Sequence, residues 1–117
     1  MATWDEQIFT IDTNVDFLDE IADLDTEEIV DAVRDAVLLA ANQDNPSEDE
    51  LLNGQAAATI AAIWSGAPFS AGDTAETYPF IRLRPDEIDE KLVEAAATVL
   101  EDADTEADLE QFLEALA

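Results

Sequence analysis

The chain of 117 residues has no cysteine and no histidine, and it contains only three glycines. Without cysteine there is no disulfide, no thiol nucleophile and no thiolate metal site. Without histidine, the most frequent general base and the imidazole ligands of zinc sites are also missing. The glycines, at positions 54, 66 and 72, match no phosphate-binding loop. A mechanism based on two carboxylates is the remaining option for an enzyme. We nevertheless expect a protein that is not an enzyme and carries no cofactor.

Positive charge is also scarce. Thirty aspartates and glutamates stand against Arg34, Arg82, Arg84 and Lys91, which gives a formal net charge of −26. Such a field repels nucleic acids and anionic membranes. We therefore expect no direct nucleic-acid binding and no membrane association, and any partner is expected to be a basic protein or a cation.

Long hydrophobic runs are absent as well. The longest apolar stretches, residues 36–41 and 56–64, are much shorter than the roughly 20 residues that cross a bilayer. Asp5 and Glu6 stand where a secretion signal would carry basic residues. These features predict a cytoplasmic protein.

Hydrophobic residues are plentiful, at 48 % of the chain, and they recur with helical spacing. The length corresponds to one domain. We therefore predict a single acidic all-α domain over residues 1–117. Its expected architecture is a compact bundle of about five helices around an Ala-rich central helix, with an N-terminal apolar arm and one long irregular connection.

Local capping signals place the first three helices. Thr13 with Asp16 is typical of a helix start, and the second helix is expected to follow Asp25. The third helix has the strongest signal, a capping box from Ser47 to Glu50. Gly66 is expected to end this Ala-rich central helix in a left-handed cap.

The rest of the chain is divided by prolines and glycines. Residues 67–84 lack periodicity and predict the long connection, with a short extended piece at 80–83. Pro85 suits the first turn of a fourth helix, and Thr105 is expected to cap a short fifth one. Trp4, in the N-terminal arm, and Trp64, at the end of the central helix, are expected to pack in the core rather than to line a pocket.

Three parts of the sequence resemble a known family. One is the central Ala-rich helix, closed by Gly66 and then Pro68, and another is Thr105-Glu106 followed by Leu109. The third is the N-terminal pattern formed by Trp4, Phe9, Asp12, Asp16, Phe17 and Leu18. Together they resemble a bacterial family known as domain of unknown function 4259. The resemblance implies an all-helical fold and supplies no activity.

This chain departs from the family pattern at a few positions. Asp5 and Gln7 occupy positions where the family usually has glycine, and Thr59 stands where a glutamate is common.

The candidate partner-binding residues are acids spaced three or four apart near the first predicted helix. Such like-charge pairs each cost about 0.2–0.5 kcal/mol of helix stability, so a purely structural design would avoid them. Their axial spacing is also close to that of phosphates along a DNA strand, which leaves nucleic-acid mimicry as an alternative. A solvated face without a dedicated partner is the other alternative. The residues are Asp12, Asp16, Asp19, Glu20 and Asp23.

Two smaller clusters are weaker candidates. Glu101, Asp102 and Asp104 offer oxygen ligands for calcium, although the glycine and bidentate glutamate of an EF-hand loop are missing. We therefore predict no specific metal site. Arg82 and Arg84 form a candidate anion clamp, but pairing with neighbouring acids is the favoured explanation for them.

The leading functional hypothesis is a non-enzymatic interaction module that binds a basic protein, in the manner of an inhibitor or immunity protein. A divalent-cation protein or carboxylate-dependent enzyme is a second possibility. A third is that the acidity is an adaptation to a salty cytoplasm. Screening of self-repulsion by salt would then stabilise the fold strongly.

Overall fold

The fold was analysed in a computed structural model that describes residues 4–42, 47–66, 76–82, 90–102 and 109–116. Within these ranges all regular secondary structure is helical, which confirms the predicted all-α class. Glu76 and Thr77 are also helical. The bounded elements are α1 Trp4–Phe9, α2 Asp12–Ala22, α3 Thr26–Asn42, α4 Glu48–Trp64, a 3-10 helix Pro79–Arg82, α5 Glu90–Glu101 and α6 Glu110–Ala115.

Helix α4 begins and ends where the sequence predicts. The Ser47 hydroxyl accepts a hydrogen bond from the Glu50 backbone N–H at 3.1 Å, and the Glu50 carboxylate accepts one from the Ser47 N–H at 3.0 Å. This completes the capping box, which satisfies two backbone donors at the helix start. After the C-terminal end, Gly66 adopts a φ of 115°, a conformation that glycine reaches without the steric cost of a Cβ.

Helix α4 is the centre of the bundle, as predicted. Every residue from Gly54 to Trp64 is buried, so this part of the helix is enclosed on all sides rather than amphipathic. It packs against all the other bounded elements of the described chain. The row of alanines makes this enclosure possible because it leaves little side-chain bulk between neighbouring helix axes.

The closest of these contacts is between α3 and α4. A Cβ added at Gly54 would overlap the Cβ of Ala40 and lie 3.2 Å from the carbonyl oxygen of Ala36. Gly54 therefore allows an approach that any side chain would block. The other helices are amphipathic; α3 buries Ile29, Val33, Val37 and Ala40, and α5 buries Leu92, Ala96, Val99 and Leu100.

The predicted N-terminal apolar arm is helical instead. Trp4 and Ile8 lie one turn apart and are buried, and acidic residues in the first turn suit the helix dipole. The side-chain amide of Asn14 donates a hydrogen bond to the Ile8 carbonyl at 2.8 Å, which satisfies one of the free carbonyls at the end of α1. Tertiary contacts thus stabilise a helix too short to be predicted from periodicity.

Two further local predictions were wrong. The segment from Phe80 is a 3-10 helix rather than extended, and Ile81 donates its backbone N–H to the Tyr78 carbonyl within that turn. Helix α2 starts at Asp12, with Ile11 at the N-cap and no side-chain cap. The Thr13 hydroxyl instead donates to Asp49 at 3.4 Å.

The remaining predicted boundaries, Pro85 and Thr105, lie outside the described residues. Among the helices that are described, none combines the length and the hydrophobicity needed to span a bilayer.

Candidate functional site

The five acidic residues singled out in the sequence all lie along the exposed side of α2. All five residues are exposed, and Asp23 stands at the C-cap of the helix. Spacings of three and four residues place them on one side of the helix, opposite the buried Leu18 and Ile21. We refer to Asp12, Asp16, Asp19, Glu20 and Asp23 as the α2 acidic line.

Helix α2 has few means of compensating this charge. The helix sequence contains no basic residue, and Asp23 lies at the C-terminal end, where the helix dipole disfavours an acid. By contrast, Glu27 and Glu28 in α3 and Glu48 in α4 lie in first turns, where the dipole stabilises acids. Of the α2 acidic line, only Asp12 lies in such a first turn, so stabilisation by the helix dipole does not explain the other four acids.

One member of the line is held in place from outside the helix. The buried Tyr78 donates its hydroxyl hydrogen to the carboxylate of Asp19. That hydrogen bond, together with burial and the negative charges of Asp19 and Asp16, raises the pKa of Tyr78 to about 12. The neutral phenol is therefore favoured, and it fixes the position of one acid on this surface.

A groove of about 360 Å³ lies beside the acidic line, between α2, α3 and α4. We refer to it as the α2–α3–α4 groove. Leu39 is 40 % exposed there, and the only other large hydrophobic residue exposed in the described part of the chain is Leu51. The apolar lining is formed by Phe17, Ile21, Ala32, Ala36 and Leu39.

The polar lining of the groove carries only negative charge. It consists of Glu20, Asp35, Glu50 and Asn53, of which Glu20 and Asp35 are exposed. Glu20 also belongs to the α2 acidic line, so the groove and the line form one continuous surface. Across the described residues, the side-chain oxygen of Asn53 is buried and accepts no hydrogen bond.

A second depression, of about 450 Å³, lies between α3 and α5. Its lining includes Lys91 as well as Glu94. Because it carries both signs of charge, it has no comparable preference for a cation.

The other candidate residues are not brought together into a site by the described structure. Glu101 and Asp102 are exposed at the end of α5, while Asp104 lies outside the described residues. Arg82 ends the 3-10 helix, and Arg84 is also outside the described part. Among the described residues, no group of three or more acidic side chains converges as metal ligands would.

Sequence analysis missed the groove. Asp35, Leu39 and Asn53 belong to none of the clusters that the sequence predicts as a site. One signal was available: Ala32, Asp35, Ala36 and Leu39 follow the spacing of a single helix edge, to one side of the stripe that α3 buries. Leu39 lies on this edge and is exposed in the described structure.

The two tryptophans predicted to pack in the core do so. Trp4 is 5 % and Trp64 4 % exposed. The Trp4 indole N–H donates to the Thr59 hydroxyl at 2.8 Å, and that hydroxyl donates to the Gln55 carbonyl at 2.8 Å. The Trp64 indole N–H donates to the Phe80 carbonyl at 3.1 Å. Both indole N–H groups are therefore satisfied inside the core, and neither tryptophan lines the groove.

Comparison with protein families decides the affiliation of the chain. The family model described as "Domain of unknown function (DUF4259)" matches residues 2–117. The chain belongs to this family. No match was found among curated proteins or among solved structures.

The predicted affiliation is thus confirmed, and the described structure adds a detail to one family departure. In this DUF4259 protein Thr59, for which the resemblance implies glutamate as the common residue, is fully buried. A hydroxyl there both accepts from Trp4 and donates to α4, so it is satisfied without bringing a charge into the core.

Proposed function

We propose that this DUF4259 protein is a non-enzymatic interaction module whose acidic surface binds a basic protein, acting as an inhibitor or immunity-type protein. The α2 acidic line is the observation that carries this proposal. Its like-charge neighbours each cost about 0.2–0.5 kcal/mol of helix stability, and only Asp12 lies in the first turn of the helix, where the dipole offsets part of that cost. A dedicated cationic partner would account for this cost.

The physical role of the line would be mainly kinetic. A field of one sign concentrated along a helix steers an oppositely charged protein during diffusion and can raise association rates by about 10- to 1,000-fold at low salt. Exposed charges at the edge of an interface affect the association rate and its salt dependence more than the dissociation rate. The complex is therefore expected to weaken steeply as ionic strength rises.

The proposal is tested by affinity capture at low salt, followed by kinetics with the purified partner. Asp12, Asp16, Glu20 and Asp23 are changed to their amides, which spares Asp19 and its contact with Tyr78. In a matched control variant, four exposed acids elsewhere on the protein are changed to their amides. They are Asp31, Glu94, Glu101 and Glu114.

Both variants lose the same amount of negative charge, so any difference between them reports position. We expect the line variant to lower the association rate at least about tenfold and the control variant to lower it much less. Recovery of no basic partner at any salt concentration, or equal losses in the two variants, would contradict the proposal.

Nucleic-acid mimicry is a special case of the same surface. If the captured partner binds DNA or RNA, competition between its nucleic acid and this protein measures whether both occupy one site. If the unmodified protein displaces the nucleic acid from the partner and the line variant does not, the α2 acidic line is the part that mimics nucleic acid.

A further inference from the structure

The α2–α3–α4 groove combines an apolar floor with exposed negative charge. Phe17, Ala36 and Leu39 give it an apolar floor that is open to solvent. Glu20 and Asp35 contribute exposed carboxylates from two different helices. An occupant that satisfies both must be apolar in one part and positively charged in another.

We propose that this groove is the docking site for a cationic amphipathic segment of the basic partner, which deepens and rests on the function proposed above. A large apolar side chain of that segment covers Leu39 and Phe17. Lysine or arginine residues beside it pair with Glu20 and Asp35. This is the mode in which an amphipathic helix lies in a groove and presents anchors at helical spacing.

Charge continuity favours a peptide segment over a small amine. Glu20 belongs both to the groove and to the α2 acidic line, so a cationic chain leaving the groove meets Asp16 and Asp23 along the same helix. A small amine would reach only the carboxylates at the rim. A second copy of this protein is disfavoured as the occupant because the charges on both surfaces would repel.

The test uses a synthetic peptide as the probe. Leucines at positions i, i+3, i+4 and i+7 form one face of a helix, and lysines fill the other positions. A second peptide has the same composition with the leucines distributed around all faces, and a third replaces the leucines by alanine. Binding is measured by fluorescence anisotropy at physiological ionic strength.

The decisive protein variants are Leu39→Ser and its matched control Leu51→Ser, since the two leucines are similarly exposed and only Leu39 lines the groove. We expect Leu39→Ser to weaken binding of the amphipathic peptide about tenfold or more, as loss of an anchor contact does. Leu51→Ser should change it less than about twofold. Glu20→Gln with Asp35→Asn should weaken binding more than Asp31→Asn with Glu94→Gln.

The outcomes separate this inference from the proposed function. Peptides that bind equally well whatever their leucine pattern, and that depend on the α2 acidic line but not on Leu39, would overturn docking in the groove and leave the proposed function standing. Failure of every cationic peptide to bind would count against both.

A measurement on the unmodified protein tests the same inference without relying on the folding of the Leu39→Ser variant. Methyl resonances of Leu39, Ala32 and Ala36 in the unmodified protein should shift on addition of the amphipathic peptide, while the methyl resonances of Leu51 stay in place. Shifts confined to residues outside the groove would overturn the inference.

Discussion

At the scale of single residues, buried polar side chains form hydrogen bonds between parts of the chain that are distant in the sequence. Trp4 and Thr59 are 55 positions apart in the sequence and share a buried hydrogen bond. Asn14 uses its amide to close the end of α1. The indole N–H of Trp4 and the amide N–H of Asn14 are buried at little cost because each has an acceptor, and these contacts position α1 on the bundle. The side-chain oxygen of Asn14 is buried and accepts no hydrogen bond among the described residues.

The contact between Tyr78 and Asp19 makes a prediction about alkaline pH. The pKa of this tyrosine is raised from its ordinary value near 10 to about 12, so the folded protein holds the phenolic proton more tightly than the unfolded chain. The stability that this contributes is complete below about pH 10 and is lost as the pH rises towards about 12. Because the chain has one tyrosine, phenolate absorption reports Tyr78 alone.

Two variants control that measurement. In Asp19→Asn the carboxylate that is the main cause of the raised pKa is gone, so the phenol should titrate closer to pH 10. In Tyr78→Phe the decline in stability that this residue causes between about pH 10 and 12 should be absent. A folded-state titration near pH 10 in the unmodified protein would show that the contact is not made in solution.

At the scale of elements, the fold depends on how closely α3 and α4 approach each other. Glycine inside a helix ordinarily costs about 1 kcal/mol relative to alanine. At position 54 it nevertheless stands in the middle of the central helix, because a Cβ would overlap Ala40. The steric demand of the interface therefore outweighs helix propensity.

Gly54→Ala tests this balance. The substitution should reduce the free energy of unfolding by about 1–3 kcal/mol, the usual cost of overpacking, instead of increasing it as propensity alone would. Urea denaturation followed by circular dichroism measures the change. Ala40→Gly should relieve the overlap, so the double variant should lose less stability than the two single changes added together. A Gly54→Ala protein that is more stable would contradict the close approach.

The candidate site also depends on elements rather than on single residues. Its floor comes from α2 and α3, and α4 contributes Glu50 and Asn53. Glu50 serves both the capping box and the lining of the groove. The rigid start of α4 thereby positions one edge of the groove.

At the scale of the whole molecule, the net charge of −26 opposes compaction. Exposed acids occur on all the longer helices, so their mutual repulsion destabilises the folded state. Salt screens this repulsion as the Debye length falls from about 10 Å at 0.1 M to about 3 Å at 1 M. The melting temperature is therefore expected to rise with sodium chloride over that range.

Melting temperatures are also measured in sucrose, which stabilises proteins because it is excluded from their surface but does not screen charge. A rise that occurs in sodium chloride beyond the rise in sucrose is therefore due to screening. A melting temperature unchanged by sodium chloride would contradict strong self-repulsion and, with it, adaptation of the surface to salt. A steep increase accompanied by salt-resistant binding to the partner would assign most of the acidity to salt adaptation rather than to steering.

The sequence by itself determined the all-α class, the enclosure of residues 54–64, the capping box at Ser47 and the α2 acidic line. Each of these follows from local chemistry or from the period of one helix, which the order of residues contains. Only the tertiary structure decided that the arm at Trp4 is helical and that an apolar groove opens beside Glu20. Periodicity shows which face of a helix is buried, whereas a groove arises where the edges of α2, α3 and α4 fail to close over Leu39.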